Sequence, residues 1–151
     1  MGQQQLLLVI LVTIIVGIAT VVAINVFGTA ADEANRDAVR QDIMQAATAA
    51  QGIWARPTAM GGLGQNMGNL DDPRLIFSRG ADGEMTYTAE EVVNENGSYT
   101  VSGTGEGATS SLTITGSPSG GTPDMQLVLS RETDDADGSS YWELTWSTPE
   151  E

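Results

Sequence analysis

No residue before Asp32 carries a charged side chain, although the 151-residue chain holds six arginines and twenty acids. Within that uncharged stretch, Leu6 to Gly28 reads LLLVILVTIIVGIATVVAINVFG, broken only by Thr13, Gly17, Thr20 and Asn25. At about 1.5 Å per residue such a helix crosses a hydrocarbon layer of about 30 Å, which needs about 20 residues. It is apolar on every side, so it needs cover on every side, from lipid or from other helices. A secretory signal peptide fits poorly. MGQQQ has no basic residue, and no small-x-small cleavage site precedes a break in polarity. The segment is therefore expected to stay in the mature protein, and Thr13, Gly17 and Thr20 share one helical face suited to close helix approach.

The helical pattern continues past the apolar run. From Thr29 to Gln51 there is neither Gly nor Pro. Val39, Ile43, Ala46, Ala50 and Ile53 recur at four-three-four-three spacing, a stripe for packing against another element. Alanine, the best helix former, is dense. Asp32 with Arg36, Glu33 with Arg36, and Asp37 with Arg40 add local charge support. One helix is predicted over about residues 3–54, roughly 75–80 Å long. Gly52, Arg56-Pro57 and the glycines at 61, 62, 64 and 68 end it.

A loop-like stretch follows over 55–73, and then period-two alternation. Tyr99, Val101 and Gly103 alternate with Ser and Thr, and Leu112 and Ile114 with Thr113 and Thr115. Met125, Leu127 and Leu129 form a third run; Trp142, Leu144 and Trp146 form a fourth. The segments between them, GTGEGATS, GSPSGGTPD and TDDADGSS, are turn chemistry. Connections this short favour an antiparallel meander of four strands. The apolar face of that sheet needs a cover, and the stripe Val39 to Ile53 supplies one. The expected fold class is α+β: a long N-terminal helix whose second half carries an antiparallel β-meander head, a lollipop. Three regions follow, with 1–28 the hydrophobic half-helix, 29–54 the amphipathic half and 55–151 the β-rich head. Residues 75–93 admit either a hairpin or a short helix.

Composition excludes several chemistries. With no Cys and no His there is no thiolate nucleophile, disulfide, N/S zinc site or Ser-His-Asp triad. With no Lys there is no Schiff base and no P-loop lysine, so the run Gly116-Ser117-Pro118-Ser119-Gly120-Gly121 is not a phosphate loop. A net charge of −14 argues against nucleic-acid binding, which depends on cationic contacts. No acid, base and nucleophile set assembles, so an enzyme is not expected and no cofactor is called for. Phe27 and Trp54 are the only aromatic residues of the predicted helix, too few for conduction along stacked rings.

The opening residues, Met1-Gly2-Gln3-Gln4-Gln5-Leu6-Leu7-Leu8-Val9-Ile10-Leu11, resemble the start of type IV pilins and their relatives, the pseudopilins and archaeal pilin-like subunits. That family opens with a stretch like F-T-L-I-E-L-L-I-V-I-A-I-I. The likeness is at motif level over about 28 residues and architectural beyond them. It implies a structural subunit that polymerises through its N-terminal helices, with Gln5, Leu6, Leu7, Leu8, Val9, Ile10, Gly17 and Phe27 in the assembly surface. The implied partners are further copies of the chain, the membrane before assembly, inner-membrane pilus assembly machinery and a prepilin peptidase. The implied location is an extracellular filament at the cell surface, with a membrane-embedded pool. Adhesion, motility and N-terminal methylation belong to the same family picture. The alternatives are a minor pilin or pseudopilin of a secretion or uptake system, and a single-span membrane-anchored surface domain that binds a ligand.

The chain departs from the family at two points. The glutamate thought to neutralise a neighbour's N-terminal amine is replaced by Gln5, which hydrogen-bonds but carries no charge. The amine then needs another partner or must lose its charge. Many bacterial members have a proline where this chain has Val22, and here none occurs before Pro57, so an unbroken helix is expected with Gly17 its weak point. No basic leader ending in glycine stands ahead of the aliphatic block; a leader removed before Met1 and Met1-Gly2 as the whole of it are both open.

Three weaker signals lie in the head. Asp134, Asp135 and Asp137 offer oxygen ligands for calcium, but the twelve-residue loop with its closing Glu is absent, and a solvated acidic turn is preferred. Asn96-Gly97-Ser98 fits the N-glycosylation pattern and equally a plain Asn-Gly turn. Trp142 and Trp146 share a strand face and are expected in the core rather than as an exposed adhesive pair.

Overall fold

A computed structural model describes residues 2–70, 72–77, 86–87, 91–134 and 136–149, with backbone only at 86–87. One continuous helix, α1, runs Gly2–Trp54, with Gly17 and Val22 in unbroken helical geometry. The chain divides into two compact units, Met1–Ala34 and Asn35–Glu151. The division falls inside the helix.

In the second unit six strands form one antiparallel sheet in sequence order: β1 Thr86–Tyr87, β2 Glu91–Val93, β3 Gly97–Thr104, β4 Ser111–Pro118, β5 Met125–Thr133 and β6 Ser140–Ser147. The four expected strands are present, and a short hairpin, β1–β2, extends the sheet at one edge. A single 3-10 turn at Pro73–Leu75 reaches the start of 75–93, the stretch left open between hairpin and short helix, and the β1–β2 hairpin lies within it. Residues 78–85 and 88–90 of that stretch lie outside the described residues.

The core forms where the helix stripe meets the central strands. Val39, Ile43, Ala46, Ala47, Ala50 and Trp54 are buried against Val92, Tyr99, Leu112, Ile114, Met125, Leu127 and Leu129. Alternation in β4 and β5 places these residues on the helix-facing side. The alanines have a physical role here: small side chains let the helix sit close on the sheet. The same closeness explains Gly116, read from the sequence as the start of a turn and found inside β4. A Cβ at Gly116 would come within 2.8 Å of Val39 Cγ1 and Ile43 Cδ1.

Residues 55–77 do more than connect. Leu63, Met67, Leu70, Ile76 and Phe77 are buried and close one end of the core. They also terminate α1, since the Leu63 amide donates to the Ile53 carbonyl at 3.0 Å and the Gln65 amide to the Trp54 carbonyl at 2.9 Å. These contacts occupy carbonyls that a helix end otherwise leaves unpaired.

The expectation that Trp142 and Trp146 are both core needs correction for Trp146. Trp142 is partly buried and packed on the core, whereas Trp146 is exposed, as are Leu144 and Tyr141. A helix about 10–12 Å across covers two to three strands spaced about 4.8 Å apart. β6 is the edge strand, and of these residues Trp142, against Trp54 of α1, is the one packed on the core.

Candidate functional site

The feature with no structural employment inside the chain is the first unit. Between Leu6 and Phe27 sixteen large aliphatic or aromatic side chains are solvent-exposed, from 48 % at Ile10 to 74 % at Phe27. Leu6, Leu7, Leu8, Val9, Ile10 and Phe27 all belong to this surface. They are spread around the whole circumference of α1, so no single face is apolar and no single docking groove would cover them. Exposed apolar patches of ordinary soluble monomers are much smaller than this. By length and composition the helix is long and apolar enough to cross a membrane.

Polar atoms within the segment are mostly silenced by the helix itself. Thr13 Oγ1 donates to the Val9 carbonyl at 2.7 Å, and Thr20 Oγ1 to the Val16 carbonyl at 2.8 Å. Thr29 Oγ1 reaches the Asn25 and Val26 carbonyls at 3.2 and 3.0 Å. Back-bonding of this kind lets hydroxyls enter a dry environment without an unmet donor. Gly17 lies between the two inner threonines with open space where a Cβ would stand. Gln5 is exposed near the start of the helix, which has no acidic residue in its first turn.

The second unit holds two polar arrangements that the sequence reading missed. The first centres on Asp42, whose Oδ2 accepts from Asn94 Nδ2 at 2.9 Å, Asn96 Nδ2 at 2.9 Å and the Tyr99 hydroxyl at 2.6 Å. Asn94 Oδ1 in turn accepts the amides of Asn96 and Gly97 at 2.9 and 3.0 Å, shaping the β2–β3 turn. One carboxylate thus ties that turn to the helix. Burial first, and then the hydrogen bond and the negative charge of Asp42, hold the Tyr99 hydroxyl well above the usual phenol range. A signal for Asp42 was present: it stands three residues after Val39 and one before Ile43, at the margin of the apolar stripe.

The second arrangement is aromatic and cationic. Trp54 and Trp142 meet edge to face at 5.2 Å, and Trp54 Nε1 donates to the buried Ser110 Oγ at 2.9 Å. The Arg131 guanidinium lies 4.6 Å from the Trp54 ring centre and 5.4 Å from that of Trp142, a cation–π position. The Arg40 guanidinium lies 5.4 Å from the ring centre of the exposed Trp146 and pairs with Asp37 at 3.6 Å. Arg131 was legible too. It continues the inward alternation Met125, Leu127, Leu129, and it stands opposite Trp142 in the β5–β6 ladder.

The weaker candidates fare as follows. Asp134 Oδ1 accepts the Ala136 amide and Asp137 Oδ1 the Ser139 amide, each at 2.8 Å. Both carboxylates thereby serve their own turn, and the side-chain and backbone hydrogen bonds of Ser139 hold the Asp137 carboxyl below its usual range. Asp135 lies outside the described residues, and among the described residues no three metal-ligating side chains converge. At Asn96 the nitrogen that would carry a glycan is the one that donates to Asp42. No family model matches the chain, and neither a curated protein nor a solved structure matches it.

Proposed function

We propose that this chain is a structural subunit that polymerises into an extracellular type IV pilus-like filament through bundling of its N-terminal helices. One observation carries the proposal: sixteen exposed apolar side chains encircle a helix that holds no charge before Asp32. Each buried side chain of this size yields about 1.5–3 kcal/mol. A helix of this kind is at home in lipid or among copies of itself, and the second unit already has a complete core of its own. A heterologous contact between successive copies whose rotation does not close propagates as a fibre instead of a ring. The resemblance of the opening residues to those of type IV pilins supports the same reading. It brings with it the membrane as the store of unassembled subunits, and an assembly machinery and prepilin peptidase as partners.

Shearing cells that make the protein tests the proposal. Thin fibres in the supernatant, composed of this chain, are the expected result. Recovery only from the membrane fraction, with no fibres in electron micrographs, would overturn it and leave a single-span anchored surface domain in its place.

A further inference from the structure

Asn25 is the one side chain between Leu6 and Phe27 that carries N–H donors and satisfies none of them. Thr13 and Thr20 bond back to their own helix. Among the described residues the Asn25 amide group has no hydrogen-bond partner; only its backbone carbonyl is used, by Thr29. The side chain is exposed and stands one turn before Gly28 and Thr29, where the missing Cβ of Gly28 leaves room for a neighbouring chain.

The amide meets different surroundings in the two settings of the helix. Asn25 lies 19 residues after Leu6, which at about 1.5 Å per residue places it about 28 Å further along the axis. In a bilayer whose hydrocarbon layer of about 30 Å begins near Leu6, that is the far edge of the layer, within reach of the headgroups and their water. Inside a bundle of identical helices water is excluded, and an amide with two donors and an acceptor must find them on another copy. A second copy of this chain is the occupant that fits. It is uncharged and apolar around the contact, and it carries a short set of polar groups: Gln3, Gln4 and Gln5, the lone pairs of Thr13 and Thr20, and Asn25 itself.

Resting on the filament reading, we propose that Asn25 sets the axial stagger between neighbouring helices by hydrogen-bonding a polar side chain of the next copy. Aliphatic side chains slide past one another with little preference for register. A single amide that must be paired selects one register from many, as lone asparagines do in helix bundles.

The test uses fibres of the full chain and reads their axial rise from diffraction layer lines. Wild-type fibres should show one sharp rise. Asn25→Leu should still assemble but with a broadened or mixed rise, while Val26→Leu, beside it, should keep the wild-type value. Asn25→Leu fibres with the wild-type rise and sharpness would overturn the proposal and leave the filament reading intact. Absence of wild-type fibres would sink the filament reading itself. As a second measurement, fibres reassembled from equal parts of 15N- and 13C-labelled chain should show an intermolecular solid-state NMR correlation from Asn25 Nδ2 to a polar side chain. Its absence would also overturn the proposal, whether or not Asn25→Leu assembles.

Discussion

At the scale of single residues, Asp42 joins the helix to the sheet. It receives three side-chain donors from the β2–β3 turn and from β3, 52 to 57 residues away in sequence. Removing the acceptor strands them, and an unmet donor in a partly dry site costs about 1–3 kcal/mol. Asp42→Ala is therefore expected to lower unfolding stability in detergent by about 2–3 kcal/mol, with Asp42→Asn losing less because its carbonyl still accepts. A urea titration showing the two variants equal to wild type would refute this role. Tyr99 adds a pH dependence. Its folded pKa is raised above the ordinary value of 10.0, so the folded chain keeps a proton that the unfolded chain gives up. Stability from this group is present in full below about pH 10 and declines as pH rises above it. Denaturation midpoints that stay level between about pH 9 and 12, with Tyr99→Phe showing the same profile, would count against it.

At the scale of elements, helix and sheet are joined by closeness. Alanines on α1 and glycines on the strands bring backbones together, and the two kinds of glycine separate cleanly. Gly52 is helical with open space around its missing Cβ, so Gly52→Ala should stabilise by up to about 1 kcal/mol through helix propensity alone. Gly103 is different: a Cβ there would stand 2.1 Å from the Met67 carbonyl oxygen, a backbone atom of the packed loop. Gly103→Ala should cost about 1–3 kcal/mol, and thermal melts that rank the two variants the other way would contradict the packing described. The helix was legible in sequence because its stripe repeats at helical spacing, and the central strands because they alternate. The part played by 55–77 was not. Leu63, Met67, Leu70, Ile76 and Phe77 follow no period, since 3-10 turns and irregular backbone impose none, yet all five are buried. Trp146 failed for the opposite reason. Its alternation was real, but alternation chooses a face and does not say whether anything covers it.

At the scale of the whole molecule, charge is partitioned along the chain. All of the −14 belongs to residues from Asp32 onward, and the side chains before it carry none. In a filament the acidic second units would stand side by side facing water, and their mutual repulsion would depend on screening. The Debye length is about 30 Å at 0.01 M salt and about 3 Å at 1 M. Fibres are therefore expected to pack their outer layer more loosely, and to melt at lower temperature, at about 10 mM salt than at about 1 M. Diameter and melting temperature unchanged across that range would refute the dependence. Such an acidic, lysine-free exterior suits a saline medium.

The sequence by itself determined the helix from end to end, the separation of an uncharged segment from a charged one, and the antiparallel alternation of the four long strands. These are local properties, set by backbone period and side-chain polarity within a few residues. Only the tertiary structure decided which apolar residues are covered, where the first unit ends, and which polar groups meet. Asp42 with Asn94, Asn96 and Tyr99, and Arg131 with Trp54 and Trp142, are products of strand register and of the helix lying on one particular set of strands. Contacts between residues fifty or more positions apart depend on every turn between them, and no period in the sequence carries that information.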